Sequence, residues 1–305
     1  MALFLKNLFR LPVNSGRHKE EQVTWHGNDP RKDESIMDDN ALKKTKIFTI
    51  VNLVIYFLTL GVNYLGSSGF FNGQSQADIS DQYMTLISPA PFTFSIWGVI
   101  YTLVLITLVY LFIKRKDARV SKLVLLISPW FILLSLFNMS WIVAFSYERL
   151  GISTILIIGM LFSLLLIIGK IYTHRFEVPS TLAGLSFTLY CAWVTIATVV
   201  NTSLLLMQLD WGGFGISYSV WTLIILAVAV AFVLIYISKY KNAAYPLPLA
   251  WAFFGIYGSY NSGRVDPELA TTIQWFLIAG IVILLIAAVW RFIRNGNALF
   301  EQHSS

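Results

Sequence analysis

The stretch PFTFSIWGVIYTLVLITLVYLFIKRK, residues 91–116, runs to Ile113 without a charged side chain and then meets Lys114, Arg115 and Lys116 in a row. At about 1.5 Å per helical residue, such a run is long enough to cross a hydrocarbon core about 30 Å thick. Leu108–Ile113 is apolar on every side, as is Leu164–Ile168 further on. Barrel strands would instead alternate over segments of roughly 10 residues, so helices fit these runs and strands do not. Runs of the same kind recur near 46–66, 91–113, 122–146, 150–169, 180–207, 215–238, 246–262 and 269–290. The sequence predicts an all-α, polytopic membrane protein of about eight transmembrane helices.

Composition agrees. Of 305 residues, 56% are hydrophobic and 12% charged, about half the charge of soluble domains, and the mean hydropathy is +0.67. A net charge of +6 raises the question of a nucleic-acid partner. The cations, however, sit at the ends of apolar runs rather than on a soluble basic face, which points to membrane orientation. A single cysteine, Cys191, allows no intramolecular disulfide and leaves the redox compartment open.

Residues 1–43 carry seven Lys/Arg and seven Asp/Glu and no packable face, so this tail is expected to be largely disordered. Within it, Leu5, Leu8 and Phe9 share a helical face opposite Lys6 and Arg10, a pattern suited to the membrane surface. Counted against the spans, the tail through Lys46 has nine Lys/Arg, Lys114–Lys122 five, and Lys170–Arg175, Lys239–Lys241 and Arg291–Arg294 two each. Thus 20 of 22 fall on alternate segments, with only Arg149 and Arg264 on the others. The positive-inside rule then puts both termini in the cytoplasm, which requires an even number of spans. Pro129 lies inside the third span and is expected to kink it, while Pro179, Pro246 and Pro267 start helices.

No Asp, Glu, Lys, Arg or His lies clearly within a span. Proton relays, ion-coupled transport and voltage sensing are built from such groups, so these functions are disfavoured. His18, His26, His174 and His303 lack partners at ligand spacing, so no metal site is expected. No catalytic constellation or cofactor motif is present either. What remains in the apolar runs is aromatic and amide-bearing. Trp97 and Tyr101 lie one turn apart roughly 9–15 Å below the outer boundary, Asn138 and Trp141 form a similar pair on the third span, and Tyr190, Trp193 and Asn201 follow on the fifth. Trp211, Trp221, Trp275 and Trp290 suit an interfacial belt, for which Trp193 is too deep. Asn138 and Asn201 fit either interhelical hydrogen bonding or a ligand site. On the second reading, these groups wall a cavity for a large, flat, weakly polar ligand.

These segments resemble the translocator protein/tryptophan-rich sensory protein (TspO/MBR) family. Its second helix follows a proline-rich loop and reads Trp-Gly-x-x-Tyr, as Trp97-Gly98-Val99-Ile100-Tyr101 does. Its third helix carries Asn-x-x-Trp, matched by Asn138 and Trp141, and its fifth has the spacing of Tyr190, Trp193, Ala197 and Asn201. The motifs cover about residues 46–208. Departures are Pro89-Ala90-Pro91 for a Pro-Pro pair, Leu189 for a proline, no Tyr-plus-basic cholesterol pattern after helix five, and three further helices. The resemblance implies a TspO-like five-helix bundle over 44–208, followed by three added helices and a short cytoplasmic tail over 209–305. It also implies a porphyrin-binding pocket closed by the loop between helices one and two, here Gln74–Ala90.

The expected function is therefore a membrane sensor or regulator that binds a porphyrin-like ligand through Trp97, Tyr101, Asn138, Trp141, Tyr190, Trp193 and Asn201, with no catalytic residue. A permease for a hydrophobic solute and a light-dependent porphyrin-degrading enzyme remain as alternatives. The expected partners are membrane lipid, a hydrophobic small molecule and a second copy in a homodimer, and the expected setting is a bacterial plasma membrane.

Overall fold

The computed structural model describes residues 39–83, 85–175, 177–261 and 267–300, with the side chains of 261 and 267–270 excepted. The expectations for the tail before Asp39, for the Met1–Leu11 surface segment and for the loop holding Arg264 lie outside these residues. Among the described residues, all regular structure is helical. Helix α1 (Asp39–Ser67) leads through the short α2 (Gln76–Gln82) and a 3-10 turn at Pro91–Ser95 into α3 (Ile96–Ile113). Then come α4 (Ala118–Ser146), α5 (Leu150–Thr173), α6 (Ser180–Gln208), a 3-10 turn at Gly213–Gly215, α7 (Tyr218–Tyr240), α8 (Pro246–Asn261) and α9 (Pro267–Arg294).

Seven of these helices, counting the 3-10 turn with α3, are long and apolar enough to cross a membrane. The eighth expected span, α8, has 16 residues and so is about 24 Å long, short of the roughly 30 Å core. It still runs from one end of the bundle to the other. At its start, the Ala243 N–H donates to the Leu299 carbonyl and Asn295 Nδ2 to the Lys241 carbonyl; at its far end, the Tyr260 hydroxyl donates to the Leu86 carbonyl. The 241–245 segment makes up the missing length, so the chain crosses between the two ends eight times. Helix α4 passes through Pro129 as one continuous helix.

Helices α1, α4, α5, α6 and α3 form a closed ring, each packed on the next. Without water to compete, close packing and small polar groups hold such helices together. Thr45 meets Ser121 (2.6 Å) and Asn52 Nδ2 donates to Ser128 Oγ (2.7 Å) between α1 and α4, and Thr107 meets Ser186 (2.7 Å) between α3 and α6. Outside the ring, α9 packs along α8 and α7, and α8 packs on α6 and on the 3-10 turn. At the last contact, the Ala90 N–H donates to the Gly255 carbonyl (2.9 Å), and a Cβ on Gly255 would overlap the Thr93 side chain. Glycine at 255 lets the turn sit directly on α8. Helices α3 and α6 remain in contact with each other beside it.

Candidate ligand site

The Trp-Gly-x-x-Tyr spacing puts Trp97 and Tyr101 on one face of α3, where their rings stack with centroids 5.2 Å apart and planes 25° apart. Trp97 is also in contact with Trp141 (6.5 Å between centroids), Tyr190 (5.8 Å) and Trp193 (6.1 Å). The Trp141 indole N–H donates to Asn201 Oδ1 at 3.0 Å. All seven residues singled out in the sequence, with Asn138 among them, therefore meet in one cluster between α3, α4 and α6.

The cluster has two layers. The first is a polar network around Asn138, which is fully buried. Asn138 Nδ2 donates to the Tyr190 hydroxyl (3.1 Å) and the Tyr101 hydroxyl (3.3 Å), and its Oδ1 accepts from Asn63 Nδ2 (2.6 Å). The Tyr101 hydroxyl in turn donates to Asn63 Oδ1 (2.9 Å), and the Tyr56 hydroxyl to the Tyr101 carbonyl. Asn63, on α1, was not singled out in the sequence. Its signal was there: Asn52 and Asn63 are amides in an apolar span, 11 residues or about three turns apart on one face.

The second layer is a cavity of about 50 Å³ beneath α2, walled by Trp97, Trp141, Phe145, Trp193 and Asn201 and roofed by Gln76, Ser80 and Pro89. Tyr101, Asn138 and Tyr190 lie behind this wall and do not line it. Asn201 lines it with its amide fully used: Oδ1 accepts from Trp141 and Ser153, and Nδ2 donates to Ser153 (3.0 Å) and Thr154 (2.8 Å) on α5. Three other polar atoms of lining residues are buried without a hydrogen-bond partner, namely Trp193 Nε1, Gln76 Nε2 and Ser80 Oγ. Buried polar groups are nearly always paired, so these three donors are available to an acceptor that enters the cavity. Each can donate a hydrogen bond, and the remaining walls are aromatic and aliphatic.

The roof is built locally. Ser75 caps α2 in a capping box with Asp78, and the Ser75 N–H and hydroxyl hold the Asp78 carboxyl below the usual carboxylate range. A Cβ on Gly66 would overlap the Gln76 amide and Ile142, so that glycine makes room for the Gln76 side chain. At the other end of α2, the Tyr83 hydroxyl donates to the Glu148 carboxylate (2.7 Å), and Gln208 Nε2 reaches the Glu148 carbonyl (3.4 Å). The Glu148 acceptor raises the Tyr83 pKa above the usual phenol value. The roof is thus latched to the α4–α5 connection and the end of α6.

The three motif segments thus supply an aromatic ring cluster on α3, α4 and α6, backed by an amide network and roofed by the α1–α3 connection. A sequence-family profile described as TSPO-like protein matches residues 49–290. The chain belongs to the TSPO-like protein family. No curated protein and no solved structure matches it. The match runs well past residue 208, so the TSPO-like assignment takes in α7, α8 and most of α9 together with the five-helix ring.

Proposed function

We propose that this TSPO-like membrane protein is a ligand-binding sensor or regulator, whose ligand is flat, largely apolar and carries a hydrogen-bond acceptor, as a porphyrin does. The observation that carries this reading is the set of unpartnered donors at Trp193, Gln76 and Ser80 around an aromatic cavity. An acceptor group on the ligand would satisfy them, and the rings of Trp97, Trp141 and Trp193 offer stacking surface. Because the Trp97 and Trp193 planes stand 89° apart, a flat ligand lies on one face and meets the other ring edge-on. The cavity of about 50 Å³ is far below the roughly 300–1,000 Å³ of ordinary ligand pockets, so binding requires α2 to swing off its Tyr83–Glu148 latch. Asn138 and Asn201 serve the site by holding its walls.

The same reading places both termini and the Arg119, His174 and Lys241 connections in the cytoplasm, and α2 on the outer side. Its support is the 20-to-2 division of Lys and Arg.

Saturable porphyrin binding to the purified full-length protein tests the ligand. Replacing both Trp97 and Trp193 by Leu should weaken it about 5- to 150-fold, if each ring contributes about 0.5–1.5 kcal/mol. Trp193→Phe, which keeps a ring and removes the N–H, should retain part of the affinity. Unchanged saturable affinity in the folded double variant would reject the site.

A further inference from the structure

Beyond the ring, α7 packs on α9 and α8, while its side toward α6 borders open space. A cavity of about 420 Å³ lies between α6, α7 and α8, lined by residues such as Ile196, Val200, Ile225, Phe232, Leu249 and Phe253. Its polar neighbours are internally satisfied. The Thr195 and Tyr245 hydroxyls are within 3.2 Å of each other, and the Trp221 N–H donates to the Gly213 carbonyl at 2.8 Å. Nothing there calls for water or a charged solute, so the chamber is suited to a hydrocarbon.

A second cavity, of about 620 Å³, adjoins it at the α2 end of the bundle and shares Ile87, Trp221 and Ile225 as walls. Its lining is of another kind, with hydroxyls from Thr85, Ser203, Ser217, Ser219 and Thr222. Trp211 stands at its rim, 5.4 Å from Trp221 between centroids. Among the described residues, neither cavity is lined by Asp, Glu, Lys, Arg or His. The pair therefore grades from an apolar mouth that also carries several hydroxyl-bearing residues at the end of the bundle to an almost entirely apolar chamber within it. From Ser217 to Val233 the trough follows about 24 Å of helix, enough for a chain that fills half of a core about 30 Å thick. Ile224, Val228 and Phe232, at every fourth position, line the inner chamber and are also 40%, 61% and 45% exposed, so it opens sideways where a bilayer would lie.

We propose that α6, α7 and α8 form a lipid site that holds one acyl chain of a phospholipid from the leaflet on the α2 side. The chain enters between Val228 and α6, its end rests against Leu249 and Phe253, and the uncharged ester and glycerol region lies among the mouth hydroxyls. The head group stays outside, at the Trp211 rim. Trp221 is the collar between the two parts. Its indole is fixed by Gly213, where a Cβ would come within 3.2 Å of Nε1 and where φ is +61°. This site adjoins the cavity under α2, with which it shares Ile196 and Val200 of α6 as walls, but it does not depend on the ligand proposed there.

The test is photocrosslinking of the full-length protein in phosphatidylcholine vesicles containing a phosphatidylcholine with a diazirine near the end of one acyl chain. Leu249 and Phe253 line the inner chamber and are 4% and 1% exposed. Labelling there needs the chain tip inside the chamber, with the wall side chains shifting to admit it, and lipid merely surrounding the protein does not reach them. Adducts on Leu249–Phe253 are expected, and they should fall at least tenfold in Ala229→Trp, which fills the inner chamber. Val199→Phe, a milder filling at a residue that lines the inner chamber and not the cavity under α2, should give an intermediate loss if Ala229→Trp does not fold. Ile155→Trp, on the exposed face of α5, should leave them unchanged. Adducts confined to exposed faces in the wild type would overturn the proposal. So would equal Leu249–Phe253 labelling in a folded filled variant, or displacement of the lipid by stoichiometric porphyrin.

Discussion

Asn138→Leu separates the two roles that an amide in a membrane bundle can have. The substitution keeps the volume close and removes three hydrogen bonds, to Asn63, Tyr101 and Tyr190. Two of the partners retain others: Asn63 Nδ2 still donates to the Thr59 carbonyl, and the Tyr101 hydroxyl still donates to Asn63. Interhelical bonds of this kind average about 0.6 kcal/mol each, so the expected loss is about 2 kcal/mol, or about 30-fold in the unfolding equilibrium. Reversible unfolding in mixed detergent and lipid micelles measures it. A double-mutant cycle with Asn63→Leu should return a coupling of about 0.6–1.7 kcal/mol, because those two amides bond directly. Since Asn138 does not line the cavity, saturable porphyrin affinity of the folded variant should stay within about twofold of wild type. A stability loss below about 0.5 kcal/mol together with a tenfold loss of affinity would refute this reasoning and put Asn138 in the ligand site.

Three other outcomes follow from the packing and the charges. Gly255→Ala should cost about 1–3 kcal/mol through overlap with Thr93, and Thr93→Ala in the same chain should recover part of it, both read by thermal unfolding in detergent. Tyr83→Phe should speed amide exchange in α2 about 2- to 5-fold by removing the part-exposed bond to Glu148, worth about 0.5–1 kcal/mol. Because the folded-state pKa of Tyr83 is raised, its contribution is fully present below the ordinary phenol value of 10.0 and is lost as pH rises through the raised value, so α2 exchange corrected for intrinsic rate should increase only in strong alkali. Cysteines placed at Arg119 or Lys241 should be protected from an impermeant thiol reagent on intact cells, and cysteines at Gln74 or Gln208 labelled; the native Cys191 is buried and adds no background. The reverse pattern would invert the orientation.

Helix positions were legible because desolvation of the backbone leaves helices as the only way to span on such runs. The span expected over 122–146 is Ala118–Ser146, that over 180–207 is Ser180–Gln208, and that over 246–262 is Pro246–Asn261. The first helix starts seven residues early because Lys43, Lys44 and Lys46 continue it beyond the apolar core, where hydropathy no longer reports helix. The short α8 was read correctly in extent, but its length only makes sense once Tyr260 and the 241–245 segment are seen to fix its ends.

The site divides along the same line. Spacing along a helix tells which residues share a face, and it brought Trp97, Trp141 and Trp193 together. It does not tell which of two neighbours on that face closes a cavity and which stands behind it, because rotamers are set by the opposing helix. Hence Tyr101, Asn138 and Tyr190, equal in the sequence to the tryptophans, form the amide network, while Gln76 and Ser80 supply unpartnered donors from a connection whose only local pattern is the Ser75–Asp78 capping box. The gap between α6 and α7 is harder still to foresee. Both helices read as ordinary apolar spans, and nothing in either says that α7 leans toward α9. Only the crossing of whole helices, settled by Phe253 packing over Gly280 and the turn seated on Gly255, keeps that face of α6 uncovered. In a bilayer such a face is cheap to leave open, since lipid chains wet it as well as a helix would. That is why a lipid-sized trough can persist beside a tightly bonded ring.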